Sequence, residues 1–491
     1  MMLNQRIRQA QLPPTTKRIA FALVACLSMH LSSCSFQQYT PKPINPIVNA
    51  EKLAGKVSND ARFQQYLIAN GYSAQRLPLS EWNLEDLTYC ALYFHPSLEV
   101  SRAQWRAAQV AETNAGQRGQ PTVNTNIAHS DDPDPAKKPF ALGLSIDFPI
   151  ETANKRTIRI ENAQHLSQIA KLEIAQAAWQ LRHAIAQTLA EYQFNQQQIR
   201  LLTAEALRRQ EIVNIYQKRL SLGAASNIEL SNANLQLQTV TSTLHAAQQN
   251  QLVLRARLAS NLGLPLAQVE AMRLIDHSRP DNNKPFIADM PAAALQTTAL
   301  LNRLDIRIAL EKYAAAESKL KLELAKQYPD LVISPGYAFE FGDNIWSLGI
   351  SSLLTLLQKN KGGIAEATQL REVEAAQFEA LQSKVILDAN IANAELKQAQ
   401  LALENQQRIF VQQQSSTQRM ARKLAAGEID RLELAFAQLE DINAEKNVVL
   451  ASFQLNQSSV QLENVLQKPI AVNGLSDSEM SDTKIIIEGE K

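Results

Sequence analysis

Proline is missing from two long stretches of this chain, 150–264 and 336–468, although nineteen prolines occur among its 491 residues. Glycine is nearly as sparse there, and the interior positions at which a helix could turn are Gly223 and Gly427. Proline and glycine are the principal helix breakers, so their absence predicts helices far longer than those of ordinary globular domains. Cysteine is limited to Cys26, Cys34 and Cys90. No CxxC or HExxH spacing occurs, which excludes the usual sequence-readable metal sites. Cys90 and His95 lack further ligands and read as a buried thiol and a helix-end imidazole. Aromatic residues make up only 6%, and the formal net charge is +1, so nothing marks a nucleic-acid partner. No nucleophile–base pair or phosphate-binding loop is visible, which argues against an enzyme and against a cofactor.

What remains is rich in Ala, Gln, Leu and Glu, a helix-forming composition. Helices are expected over Thr152–Ser221, Asn227–Asn261, Gly363–Ala426 and Asp430–Gln467. The first would run about 100 Å at 1.5 Å per residue. Leu181, Ile185, Leu189 and Tyr192 keep a three-to-four spacing, a narrow apolar stripe of the kind that packs on neighbouring helices. One such stripe per helix suits a wall one helix thick, wetted on both sides. Gly223 and Gly427 fit the C′ role that tolerates a left-handed backbone, and Ser226 and Asp430 can cap the helices that follow.

The amino terminus carries Arg6, Arg8, Lys17 and Arg18 ahead of an apolar run over 19–31. This pattern is a secretory signal too short for a comfortable membrane span. It ends at Leu31-Ser32-Ser33-Cys34, similar to the lipobox of bacterial lipoproteins, which makes Cys34 the acylated residue. Leu23-Val24-Ala25-Cys26 is the competing match, but it leaves a very short apolar region. An unlipidated secretory signal is the third option. Residues 35–48, with Pro41, Pro43 and Pro46, read as an extended tether.

Two halves of the sequence align at an offset near 206 residues. His95-Pro96-Ser97-Leu98 faces Arg303-Leu304-Asp305-Ile306, and Asn227-Ile228-Glu229-Leu230 faces Arg431-Leu432-Glu433-Leu434. Each half opens with a helix, Leu84–Arg118 and Ala292–Gln327, and then changes period. Phe140, Leu142, Leu144, Ile146 and Phe148 alternate with Ala141, Gly143, Ser145 and Asp147, the period of a two-faced strand. Leu331–Phe341 and Trp346–Ile350 alternate in the same way, joined through Gly342-Asp343-Asn344. Pro121–His129 is the weakest of the four, with Val123 and Ile127 outward. Strands of nine to eleven residues are long enough to cross a bilayer at a tilt. A soluble sandwich is the alternative, but no other strand-rich segment exists to supply its core. Four strands cannot close a barrel, and open edges are not tolerated in lipid, so three copies and about twelve strands are expected.

The duplicated helix–strand–strand–helix order and the tip sequences resemble those of the TolC-type outer-membrane efflux proteins, in their lipid-anchored subgroup. Arg219-Leu220-Ser221-Leu222-Gly223 is similar to the family's first hairpin tip, and Leu424-Ala425-Ala426-Gly427 to its second. The resemblance implies a mainly α fold: long helical hairpins forming a periplasmic tunnel, with four transmembrane strands per chain closing a 12-stranded barrel in a homotrimer. It divides the chain into a signal peptide (1–33), an N-terminal tether and periplasmic segment (34–83), a first repeat (84–265), an equatorial linker (266–290), a second repeat (291–468) and a polar tail (469–491). It implies tips (Arg219, Leu220, Ser221, Leu222, Gly223, Leu424 and Gly427) that dock onto a periplasmic adaptor joined to an inner-membrane transporter. The expected function is a passive outer-membrane outlet for small toxic compounds or drugs. A type I protein secretion outlet and a non-conducting, lipid-anchored coiled-coil scaffold are the alternatives. One departure concerns the tunnel constriction, where some members carry acidic rings. Here no acid lies between Glu404 and Glu428, and Gln414, Gln418, Arg419 and Arg422 occupy the stretch.

Overall fold

The computed structural model describes residues 37–131, 138–275, 291–352 and 359–469. Cys34, the signal segment, most of the equatorial linker and the polar tail lie outside the described residues. The chain divides into a short N-terminal unit ending at Lys52 and a large unit from Leu53 onward. In the first, residues 37–45 carry no regular structure, and helix α1, Pro46–Ala54, begins at a proline and runs two residues past Lys52. Pro46 sits at the first helical position, where its missing N–H costs nothing, and Asn45 Oδ1 accepts the Ile47 amide at 3.0 Å. The expected tether therefore ends at residue 45.

The large unit opens with α2 (Ala61–Ala69), a two-residue strand β1 (Glu81–Trp82), α3 (Leu84–Phe94) and α4 (Pro96–Ala115). Strands β2 (Thr122–His129) and β3 (Phe140–Ile150) follow, then the long helices α5 (Lys155–Ser221) and α6 (Asn227–Leu262). A short helix α7 (Leu266–Glu270) and strand β4 (Arg273–Leu274) lead into the second half. There the order recurs: α8 (Ala292–Asn302), α9 (Leu304–Ala325), β5 (Leu331–Glu340), β6 (Asp343–Ser352), α10 (Lys361–Ala425) and α11 (Arg431–Leu466). β1 and β4 pair in parallel, bringing residues 273–274 against 81–82.

The opening helix of each half is broken where one continuous helix is expected. His95 and Arg303 both adopt an extended backbone with ψ 125°. At His95 the break accommodates Gly263, at φ +69°, whose absent β-carbon would fall 2.8 Å from His95 Cα. At Arg303 the freed Leu304 amide donates to Gln467 Oε1 at 2.6 Å. Pro96 holds His95 in the extended region, a local cause, whereas no proline follows Arg303, where the tertiary contact to Gln467 stands at the break. Cys90 is fully buried, and burial pushes its thiol up. His95 caps α4, its Nδ1 accepting the Ser97 amide at 3.2 Å.

Helices and strands share one lateral order. The four-stranded sheet runs β2-β3-β5-β6, antiparallel throughout. Below it α4 packs on α5, α5 on α9, and α9 on α10. Toward the tips α6 packs on α5, α5 on α11, and α11 on α10. The unit is a single layer, with β2, α4 and α6 along one edge and β6 and α10 along the other. The buried side chains accordingly form separate clusters strung along the layer. One clusters around Phe63, Trp82 and Leu258, another around Leu295, Val385 and Leu396, and a third near the tips around Val213 and Ala435.

Candidate functional site

The sheet carries the first half of the site. Its register puts Val123 opposite Ile146, Ile127 opposite Leu142, Leu144 opposite Tyr337, Phe148 opposite Ile333, and Tyr337 opposite Trp346. Because side chains alternate along each strand, these residues share one face with Phe140, Leu348 and Ile350. The other face holds Asn124, Asn126, Gly143, Ser145, Asp147, Ser334, Gly336, Ser347 and Gly349. The apolar face is open: Trp346 is 81% exposed and Ile350 70%. Large aromatic and aliphatic side chains thus stand on one side of a sheet whose other side is small and polar. The hairpin turn differs from expectation. Phe341 and Gly342, both at positive φ, form a two-residue turn, and Asp343 already pairs with Glu340 in the ladder.

A node of polar contacts joins sheet to helices. Ala153 and Asn154 adopt left-handed conformations between β3 and α5, and Lys359 and Asn360 do the same between β6 and α10. Lys155, buried, donates to the Tyr328 carbonyl oxygen at 2.6 Å and to Asp330 Oδ1 at 2.7 Å, while the Thr152 amide donates to the same carboxylate at 2.9 Å. In the second half Asn360 Nδ2 donates to Glu323 Oε2 at 2.7 Å.

α5 is then tied to the second half along its length. Lys321 pairs with Glu161 at 2.8 Å and His165 Nδ1 meets Glu311 at 2.7 Å. Arg182 pairs with Glu463, and Phe194 stacks on Phe453 with ring centroids 4.3 Å apart. Arg200 reaches Glu445 at 2.6 Å, and Glu205 pairs with both Lys446 and Arg209.

The tips are the second half of the site. Both long helices end in the same motif: Gly223 at φ +71° and Gly427 at φ +76°. The Ala224 amide donates to the Arg219 carbonyl oxygen at 2.7 Å, and the Glu428 amide to that of Lys423 at 2.9 Å, the six-to-one bond of a Schellman turn. Ser226 and Glu229 close a capping box on α6, and Asp430 Oδ1 accepts the amides of Leu432 and Glu433 at 2.7 and 3.0 Å. Ser221, Leu222, Gly223 and Gly427 are exposed, whereas Arg219, Leu220 and Leu424 are half-buried. Arg219 reaches Asp430 Oδ2 at 2.5 Å, linking the two tips. The Glu433 amide first, and then Arg219, hold the Asp430 carboxyl below the usual range. Sequence reasoning assigns Asp430 only a capping role; the signal for more is the basic last turn of α5, set beside an acidic cap. The structure brings both tips together at one end of the layer, away from the sheet. Gln414, Gln418, Arg419 and Arg422 are all exposed on α10.

Residues 87–264 match the family model described as Outer membrane efflux protein. A relative from Cupriavidus metallidurans, the Cobalt-zinc-cadmium resistance protein CzcC, is 24% identical over 258 residues, or 51% of this chain and 58% of the relative. The chain thus matches less than two thirds of that relative's length. The same fold is seen in the outer-membrane channel OprN, with a TM-score of 0.65 at 17% identity over 88% of this chain and 99% of that one. VceC from Vibrio cholerae gives 0.64 at 18% identity, over 78% and 95%. The chain is similar to the outer-membrane efflux proteins over residues 87–264, and its fold is that of OprN and VceC. In this chain the two-faced sheet and the paired tips stand at opposite ends of one layer, and among its described residues no helix is long and apolar enough to cross a membrane.

Proposed function

We propose that this chain is the outer-membrane outlet of a tripartite efflux system, conducting small toxic compounds passively from an inner-membrane pump and periplasmic adaptor to the outside. The observation that carries this reading is the single layer itself: a sheet apolar on one exposed face, with both edges unpaired, continued by helices in the same lateral order. Unpaired edges cannot stand in lipid, so three copies join edge to edge, β6 to β2, to give a barrel of twelve strands with its small polar face inward. The helices below close in the same sense as a tunnel. Its tips, at Arg219, Leu220, Ser221, Leu222, Gly223, Leu424 and Gly427, dock on the adaptor, and Cys34 carries the lipid anchor. The Arg219–Asp430 pair supports a resting state in which the tips of one copy are held together.

A scaffold that conducts nothing has no use for a two-faced sheet. A protein secretion outlet remains the second reading, because the same duct passes a polypeptide. The names of relatives do not fix the cargo, since one is a metal resistance protein and another is Nodulation protein T of Rhizobium leguminosarum. Crosslinked cells expressing the tagged full chain are expected to yield three copies bound to a periplasmic adaptor, and cells lacking it to accumulate an efflux dye. A single copy without an adaptor, with dye export intact, would contradict the proposal.

A further inference from the structure

The apolar face of the sheet changes character from one end to the other. Where the helices begin it carries Ile150, Leu331 and Ile350, all aliphatic. At the opposite end, beside the β5–β6 turn, it carries His129, Phe140, Phe339 and Asn344. Lys138 extends this turn end: its amide donates to the Phe341 carbonyl oxygen at 3.1 Å. The Lys138 ammonium lies over the Phe339 ring, 5.2 Å from the centroid. Phe339 opposes Leu142 in the ladder and so stands on the apolar face. The Lys138 charge therefore lies on that face as well. His129 meets the Phe140 ring edge-on, with centroids 4.9 Å apart.

The acids of the strands are placed the other way. β2, β3, β5 and β6 contain Asp147, Glu340 and Asp343 and no lysine or arginine. Asp147 pairs with Thr122, and Glu340 pairs with Ala141 and Asp343. By alternation all three acids fall on the small polar face. Asp131, just beyond β2, lies 3.1 Å from His129 Nδ1. Among the described residues, Lys138 has no carboxylate within ion-pair distance. Charge is thus sorted across the turn end of the sheet. Carboxylates occupy one face, and a free ammonium seated on an aromatic ring occupies the other.

A lysine on an apolar surface lays its stem along that surface and holds its head at the lipid–water boundary. Aromatic side chains gather at the same level in outer-membrane barrels. An ammonium that lacks a carboxylate matches phosphate as a point charge. The channel reading puts lipid on this face and the helices in the periplasm, so the turn end lies in the outer leaflet. That leaflet is built largely from glycolipids with phosphate on their sugars. We propose that Lys138, seated on Phe339, binds the phosphate of such an outer-leaflet glycolipid. This inference rests on the channel reading above and adds a lipid partner to it.

The test is native mass spectrometry of the purified full-length protein after equilibration with lipid. Three probes are used: bisphosphorylated lipid A, its dephosphorylated form, and phosphatidylglycerol. The wild type is expected to retain the phosphorylated lipid A about fivefold over the dephosphorylated form, the effect of one lysine beside an anionic surface. Lys138→Gln should remove that preference, while Lys138→Arg should keep it. Equal retention of the two forms by the wild type would overturn the proposal and leave the channel standing. So would a preference unchanged in Lys138→Gln, or stronger retention of phosphatidylglycerol than of phosphorylated lipid A. A protein that retains no lipid of any kind would take lipid away from this face, and with it both the channel reading and this inference.

Discussion

Gly223→Glu and Gly427→Glu are each expected to abolish export while lowering the abundance of the assembled protein only in part. The expectation depends on separating a folding cost from a docking cost. Both glycines have positive φ, so any side chain pays the left-handed penalty of about 1–2 kcal/mol. Beyond that they cost nothing sterically, because a β-carbon at either position meets no atom within 4 Å. A carboxylate there also faces the helix C-terminal carbonyls, an unfavourable but surface-exposed placement. Gly263 is the contrast. Its φ is +69°, but a β-carbon would fall 2.8 Å from His95 Cα and 2.9 Å from the Phe94 carbonyl oxygen, both backbone atoms. Gly263→Ala should therefore lower the abundance of folded protein, by adding about 1–3 kcal/mol of overpacking, and reduce export only in proportion. Dye-efflux rates set against immunoblots of the outer-membrane fraction would distinguish the two. Full export by Gly223→Glu and Gly427→Glu together would remove the tips from the docking surface.

Glu205→Leu should be the most destabilising change in the helical layer outside the apolar clusters. The Glu205 side chain is 7% exposed and accepts from Arg209 on its own helix and Lys446 on α11. Removing it strands two cations in a partly buried setting. Breaking such a cluster from one side costs about 3 kcal/mol or more. Desolvation pushes the Glu205 carboxyl up, but hydrogen bonds from Lys446 and Arg209 outweigh it and hold the group below its ordinary value. A carboxyl depressed on folding stabilises the native state above its unfolded pKa, near 4.3. That contribution fades as pH falls through the folded value. The stability gap between wild type and Glu205→Gln should therefore be wide at pH 7 and close progressively below about pH 4.3. Thermal unfolding of the purified chain at both ends of that range measures it, and a gap independent of pH would mean that the cluster does not act through this charge.

Much of the architecture is legible from breakers and periods alone. Prolines 149, 265, 335 and 469 bracket the long hairpins, and the helix ends follow from Gly223, Gly427, Ser226 and Asp430, all of which act within a turn of themselves. Strand faces are legible because period two needs only neighbours. The break at His95 is legible too, from Pro96, but the one at Arg303 is not, since it answers to Gln467, more than 160 residues away. Nor is the ladder between halves legible: Arg182 with Glu463, Glu205 with Lys446 and Arg219 with Asp430 are ordinary surface charges until the layer places them side by side.

The central claim is that lipid covers one face of the sheet and water the other. Single cysteines at residues 346 to 351 of β6, in a Cys90→Ala background that keeps Cys34, test it directly in native outer membranes. A fluorophore at Trp346, Leu348 and Ile350 should be quenched from within the lipid, and one at Ser347, Gly349 and Ser351 by a water-soluble quencher alone. Uniform exposure to the aqueous quencher along the strand would contradict the account.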